Sequence, residues 1–340
     1  MSIFKPRTIV KQSSTLPTAA VHELTKNQHY CVSKLPALPS VFKSQADSFT
    51  NAYSDSESNY SLVINEDSIF VWCYKSTDAT PLSIEFPIDK SIFQLPMAIL
   101  TRPSSGTGQD PGLVILDSVS GLIKFYESVQ HAPTLGLIND KSLEIDIPLK
   151  KDEYITLAEN VEPAGIVIAT SLQRCILISL RDFKSKPQLG YMELLNNEGF
   201  LQRFFKPETN EIVAIRSGKI TNHGTIQEIL VLDSSGNFYL YNYNLFSATA
   251  SPYVDKKKSF RQSIRVEFDA YPGSNQFATF LDIWPVDDIY LALCQIEQSL
   301  YLVTLRIDKS GALPFGSHKL KTANFPSSKP KIGRASCRER

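Results

Sequence analysis

Residues 229–243 read Ile-Leu-Val-Leu-Asp-Ser-Ser-Gly-Asn-Phe-Tyr-Leu-Tyr-Asn-Tyr: an apolar strand, a polar turn, and a second strand rich in aromatics. The same phrase is written four more times. Its copies pair residues 62–65 with 69–74, 113–117 with 122–126, 166–169 with 175–180, and 290–294 with 300–305. With Asp67, Ser120, Gln173, Ser235 and Gln298 as turn markers, the copies recur every 53 to 63 residues. A hairpin repeated at such a period is the sequence sign of a β-propeller, one hairpin at the heart of each blade. A lone hairpin cannot bury its apolar faces, whereas blades packed face to face can. Segments 69–74 and 237–241 lack strict polar/apolar alternation, the pattern of strands buried on both sides. Supporting strands are predicted at 82–86, 97–101, 143–147, 154–158, 211–216, 264–268 and 278–283, which gives each repeat about four. The expected fold is all-β: a β-propeller over residues 46–330 with about five blades visible. Five blades alone leave open edges that pair or aggregate, so the expectation is a seven-bladed ring cut short at the C-terminus.

The two ends read differently. Residues 1–45 are rich in Ser, Thr, Pro and Lys, show no sustained periodicity, and carry Lys5, Arg7, Lys11, Lys26, Lys34 and Lys43 against Glu23 alone. Such a stretch lacks the apolar surface to offset its ordering entropy and is predicted to be a disordered basic arm. Residues 331–340 have no apolar pattern and resemble translated sequencing-adapter sequence, so they are set outside the fold. Without their four basic and one acidic residues the net charge moves from 0 to −3.

Composition narrows the function. Among 340 residues, 35 basic and 35 acidic side chains cancel, so no global field recruits nucleic acid or acidic substrates. No apolar run is long enough to cross a bilayer, and the first residues form no signal-peptide stretch. The five cysteines are dispersed without a CxxC pair, and Cys73, Cys175 and Cys294 fall inside predicted strands, as small buried hydrophobes do. That usage points to a reducing compartment, cytosol or nucleus. The five histidines have no metal-ligand spacing, and no phosphate-binding Gly loop or GxSxG elbow occurs. Asp282, Asp287 and Asp288 cluster near Trp284, but turn aspartates account for such a group. No catalytic residue, metal or cofactor is expected.

Two segments stand out from the blades. Between the third and fourth hairpins, Leu194, Leu201, Phe204 and Phe205 recur at helical spacings, with Leu195 and Phe200 beside them. Asn196, Asn197, Gln202 and Arg203 form the polar counterpart. A bulky apolar face opposite a weakly charged one suits lipid-packing defects. The same residues also suit a fourth blade strand at 191–195 followed by a packed loop at 199–205, because short apolar runs do not separate helix from strand. The second segment, 245–265, holds Lys256, Lys257, Lys258 and Phe260. It reads as a solvated loop or as a cationic surface for phosphate.

The repeat lacks a WD dipeptide, so it is not a standard WD40 array. With its polar arm, the hairpin 117–128 carrying Gly121, Ile123 and Tyr126 in a Gly-x-Ile-x-x-aromatic pattern, and the apolar insertion after the third hairpin, the chain resembles the N-terminal β-propeller of a fungal-like scaffold nucleoporin. The class is the one-hundred-and-thirty-three-kilodalton member of the Y-shaped nuclear pore complex. The resemblance implies a non-enzymatic component that positions the pore coat at the curved nuclear envelope and contacts other nucleoporins of the Y-shaped complex. It also implies location in the nucleus, at the pore, with no direct nucleic acid and no small-molecule substrate. Membrane contact would run through Leu194, Leu195, Phe200, Leu201, Phe204 and Phe205. This chain departs from the family pattern in carrying Glu193 and Glu198, which repel anionic lipid. The competing reading is a general propeller adaptor of the vesicle-coat or ubiquitin-ligase type. A propeller hydrolase or lyase would need charged residues converging on a central channel.

Overall fold

The computed structural model describes residues 7–9, 22–28, 31–34, 51–65, 67–75, 83–88, 96–103, 110–133, 142–182, 184–194, 211–221, 223–245, 260–263, 278–296, 298–308 and 311–320. They form two compact units, residues 1–147 and 148–330. The elements in the first are β1 (Arg7–Ile9), β2 (His22–Lys26), β3 (Cys31–Lys34), β4 (Asn51–Asp55), β5 (Tyr60–Ile64), β6 (Ser68–Cys73), β7 (Ser83–Pro87), β8 (Met97–Thr101), β9 (Gly112–Leu116), β10 (Leu122–Tyr126) and β11 (Leu143–Asp146). The second holds β12 (Ile155–Asn160), β13 (Ile166–Thr170), β14 (Cys175–Arg181), β15 (Pro187–Leu194), β16 (Ile212–Thr221), β17 (Ile226–Asp233), β18 (Asn237–Asn244), β19 (Phe260–Ser263), β20 (Thr279–Val286), β21 (Ile289–Ile296), β22 (Ser299–Asp308) and β23 (Gly311–Lys319).

The strands assemble into five antiparallel sheets and one small hairpin, β2–β3. Four sheets contain four strands in unbroken chain order: β8–β11, β12–β15, β16–β19 and β20–β23. The first sheet, β4–β7, gains β1 as a fifth strand on the outer side of β7. Every one of the five repeated hairpins is the central pair of its sheet. The expected supporting strand 264–268 lies outside the described residues; the fourth strand of the fourth sheet is Phe260–Ser263. Within the stretch expected to be a disordered arm, β1 pairs with β7 and β2 pairs with β3.

The turn chemistry repeats with the hairpins. The Asn65 carboxamide oxygen accepts the amides of Asp67 (3.0 Å) and Ser68 (2.6 Å). Asp117 accepts the Val119 amide at 3.0 Å and the Ser120 hydroxyl at 2.6 Å. Asp233 accepts the amides of Ser235 (3.0 Å) and Asn237 (2.9 Å). These Asx turns satisfy backbone donors that the ladder cannot reach, so an Asn or Asp at the end of the hairpin's first strand closes each of the three hairpins.

Packing is sheet on sheet. In the first unit, Leu62, Ile64, Val71 and Phe86 of the first sheet meet Leu100 and Leu113 of the second, together with Val129 and Ala132 of the connection that follows β10. The Gln130 carboxamide also donates to the Tyr60 hydroxyl at 2.6 Å. In the second unit, Val167, Ala169, Cys175 and Leu177 of the third sheet pack on Ile215, Ile229, Val231 and Tyr241 of the fourth. The opposite face of the fourth, with Leu230, Leu232, Phe238 and Leu240, packs on Phe280, Ile283, Ala292 and Val303 of the fifth. The fourth sheet is therefore apolar on both faces, as its sequence indicated. Cys175 and Cys294 serve as core side chains; burial pushes both thiols up to about 12, so they stay protonated.

Two close contacts lock neighbouring sheets together. Gln227 on β17, fully buried, accepts the Ala164 amide at 2.9 Å and donates to the Val161 carbonyl and the Ser217 hydroxyl at 2.8 Å each. It thereby seats the β12–β13 turn of the third sheet against the fourth. In that turn Gly165 has φ +134°, and a Cβ there would lie 2.0 Å from the Ile178 carbonyl oxygen. Between the fourth and fifth sheets, the Phe280 amide donates to the Ser234 carbonyl at 2.8 Å, and the Phe280 ring rests on Gly236.

Gly165→Ala should cost at least about 3 kcal/mol, since both the conformation and the close approach forbid a side chain. Gln227→Ala should cost about 2–4 kcal/mol by stranding buried backbone groups. Chemical denaturation of each variant measures both losses. Wild-type stability in Gln227→Ala would show that this turn does not join the two sheets.

Candidate functional site

Leu194 is the last residue of β15, pairs with Cys175, and is buried in the core shared with Leu177, Ile212 and Ile215. The other five membrane candidates, Leu195, Phe200, Leu201, Phe204 and Phe205, lie outside the described residues, as do Lys256, Lys257 and Lys258. The structure thus places the root of the apolar segment at Leu194.

That root is held by charge. The Arg174 guanidinium bridges Glu153 at 2.8 Å and Glu193 at 3.2 Å. Glu153 is buried and also accepts the Lys150 amide at 2.7 Å and the Thr170 hydroxyl at 2.5 Å. Burial alone would raise its carboxyl, yet those hydrogen bonds and Arg174 together hold it below the usual carboxylate value. Arg174 is in turn raised by its two carboxylates against the opposing effect of burial. Glu193, read from sequence as a charge that repels lipid, is therefore compensated on the sheet.

The acidic cluster divides in the structure. Asp288, in the β20–β21 turn, pairs with Lys219, while Asp287 occupies a left-handed turn position with φ 50°. Asp282 faces inward to Arg216 at 2.5 Å, and Arg216 also reaches Glu159 at 3.3 Å. Glu159, Arg216 and Asp282 sit on β12, β16 and β20, the first strands of three successive sheets. Burial raises the Asp282 carboxyl, opposed by Arg216 and the Ile283 amide; burial lowers Arg216, opposed by the charge of Asp282. Each charge stabilises the other where water is scarce, and the arrangement is an ionic staple. Sequence reasoning missed Arg216, Gln227 and Arg174. Arg216 ends the predicted supporting strand 211–216, whereas Gln227 precedes the hairpin strand read from residue 229 and Arg174 lies in the polar turn before residue 175, so neither of these two carried a strand signal. Among the described residues, no three or more His, Cys, Asp or Glu side chains are grouped to hold a metal.

A family model described as Nup133 N terminal like matches residues 25–337. The nucleoporin NUP133 of Chaetomium thermophilum is 33% identical over 171 residues, 48% of this chain and 12% of that protein. The nucleoporin NUP133 of Saccharomyces cerevisiae is 26% identical over 333 residues, 88% of this chain and 28% of that protein. This chain therefore spans less than a third of the length of these relatives. Among solved structures, the Nup133 β-propeller domain of Vanderwaltozyma polyspora is similar with a TM-score of 0.66 at 22% identity, covering 92% of this chain and 78% of that one. At that identity the likeness speaks to the fold.

Arg216→Met should cost about 3–5 kcal/mol at neutral pH, because it leaves Asp282 buried beside no cation. Without Arg216 the Asp282 carboxyl rises further, so the folded state holds a proton that the unfolded state has lost. Stability then falls as pH rises from the unfolded carboxylate pKa towards the folded one. Thermal denaturation at pH 5 and pH 7.5 should show the variant's deficit widening at the higher pH. A deficit independent of pH would mean that Asp282 is compensated by other groups.

Proposed function

The chain belongs to the Nup133 N-terminal-like family, and from that premise we propose that it is a structural part of the nuclear pore scaffold, stationed at the nuclear envelope. The observation that carries this reading is the family match across residues 25–337. Proteins of this family are scaffold components, not enzymes. On this reading the five sheets are consecutive blades of a seven-bladed ring following a basic arm at 1–45, with residues 331–340 no part of it. The fifth sheet supports such a continuation. Its face away from the fourth sheet carries Leu293 buried, but Leu291, Leu300 and Leu302 only half-buried and Trp284 and Val286 exposed.

The partners are other nucleoporins of the Y-shaped complex, met by protein contact and without cofactor, small-molecule substrate or direct nucleic acid. The curved membrane is a second, peripheral contact, made by Leu195, Phe200, Leu201, Phe204 and Phe205, with Leu194 as the fixed root. With Glu193 compensated by Arg174, residues 195–206 keep Glu198 against Arg203 and Lys206, a charge balance that does not oppose anionic lipid. Each aromatic or leucine side chain entering an acyl defect contributes about 1.5–3 kcal/mol. Three or four of them offset the ordering of a dozen residues only when the rest of the protein already sits near the bilayer.

Tagged at its chromosomal locus, the protein should give a punctate nuclear rim and co-purify with pore scaffold components; diffuse signal without co-purification would overturn the scaffold reading. The membrane contact is tested separately by flotation with small and large liposomes. Wild type should float weakly, better with small vesicles and with little salt dependence, and Leu201→Asp/Phe204→Asp should abolish flotation while leaving the fold intact. Unfolding of that double variant would place the two side chains in the core and end the membrane reading.

A further inference from the structure

One end of the third sheet is a single row of paired residues: Ile155 pairs with Thr170, Ala169 with Cys175, and Cys175 with Leu194. Beyond that row lie the turn at 150–154, the β13–β14 turn at 171–174, and the point where the chain leaves β15. We propose, resting on the membrane reading of the segment that follows Leu194, that this corner is a second and preformed contact with the bilayer. Leu172 enters a lipid-packing defect there, and Tyr154 lies beside it at the headgroup level.

The turn carries the wrong residue for a turn. In the second and fourth sheets the left-handed position of the hairpin belongs to Gly121 (φ 77°) and Gly236 (φ 82°), each preceded by a serine, Ser120 and Ser235. In the third sheet Gln173 takes that position at φ 61°, its amide donating to the Thr170 carbonyl at 2.9 Å, and the residue before it is Leu172. Turns favour Gly, Asn, Asp and Ser, and a leucine that is 50% exposed adds little to the core. A local rule broken without a packing gain marks a functional position. Tyr154, 42% exposed, is held next to the same turn: the Ser171 amide donates to the Tyr154 carbonyl at 2.9 Å, and the Tyr154 amide to the Ser171 hydroxyl at 3.2 Å. Tyrosine, apolar in body and polar at its tip, fits the boundary between headgroups and acyl chains.

The corner is also ordered before any contact is made. Glu153 accepts the Lys150 amide, the Thr170 hydroxyl and the Arg174 guanidinium, and Arg174 donates further to the Pro148 carbonyl at 3.3 Å. Little conformational entropy is therefore lost when Leu172 is buried by a partner. Charge selects the kind of partner. The exposed Lys150 and Lys151 balance Asp152 and the one surplus carboxylate that Glu153 and Glu193 leave on Arg174. A neutral corner with an apolar tip favours packing defects over headgroup charge, the preference already read in the adjoining segment. The two contacts share one end of the sheet, because Arg174, two residues after Leu172, pairs with Glu193, one residue before Leu194.

The test uses the full chain and small vesicles of phosphatidylcholine with a minor share of phosphatidylserine. Leu172→Asp should keep the wild-type melting temperature and lower the vesicle-bound fraction about fivefold, the loss expected when one partly inserted leucine becomes charged. In Leu172→Trp, the new indole should be quenched by phosphatidylcholine spin-labelled near the headgroup, beyond the signal that Trp72 and Trp284 give in wild type. Flotation of Leu172→Asp at the wild-type level, while Leu201→Asp/Phe204→Asp stays in solution, would overturn this contact and leave the reading of the segment standing. The reverse pattern would end the reading of the segment and support the corner. No flotation of the wild type would overturn both. An unquenched Leu172→Trp on vesicles that the protein does bind would leave the corner to solvent or a protein partner and overturn the proposal.

Discussion

A sheet with apolar side chains on both faces has to be covered on both faces, and most of this molecule follows from that constraint. The fourth sheet is its clearest case. Along β17, Ile229 and Val231 meet the third sheet while Leu230 and Leu232 meet the fifth, and all four are fully buried. Successive residues of a strand point to opposite faces, so a continuous apolar run is stable only between two neighbours. At about 1.5–3 kcal/mol for each such side chain, a single uncovered face would exceed the net stability of a typical domain. The hairpin repeat is thus a requirement for stacking as much as a record of duplication.

Hydrophobic burial has no directional preference, so the alignment of one sheet on the next is left to polar groups at the strand ends. Gln227 reads the β12–β13 turn by its backbone and accepts no substitute of another shape. Arg216 ties the leading strands of three sheets through two carboxylates. The Ser234 carbonyl fixes Phe280 of the next sheet by its amide. Each bond is worth little net, yet leaving either partner alone in the interior is expensive. The penalty for misalignment, more than the gain from alignment, selects one arrangement of the sheets.

Much of this was legible in residues 229–243 and their copies, because period-two strands and Asx turns are encoded locally. Asn65, Asp117 and Asp233 announce three of the hairpins with no help from tertiary structure. The outer strands were harder. β23 contains Pro314 and Gly316 and exposes Phe315, so it lacks the apolar signature of a central strand. β15 alternates exposed and half-buried residues and was readable equally as part of a helix until its pairing with β14 settled it. The ionic links were illegible for a different reason: Arg216 lies 66 positions from Asp282, and nothing in either local stretch names the other. β1 is the extreme case, three residues in a stretch of arm-like composition whose strand character comes wholly from the edge it meets.

The same division governs where function can reside. Side chains that hold the sheets together are committed to one another, and their charges are compensated, so they offer no chemistry to a ligand. What the sheets leave available is their margins: the exposed end of β20 and the chain that leaves β15 at Leu194. The last is instructive because Arg174 pairs with Glu193 one residue before Leu194, which is itself buried in the core. In the proposed membrane reading, that buried root is what would tie the segment to a body already held near the bilayer. A scaffold gains from such an arrangement, since weak contacts made at its margins add to protein contacts made elsewhere without demanding that any single one be strong.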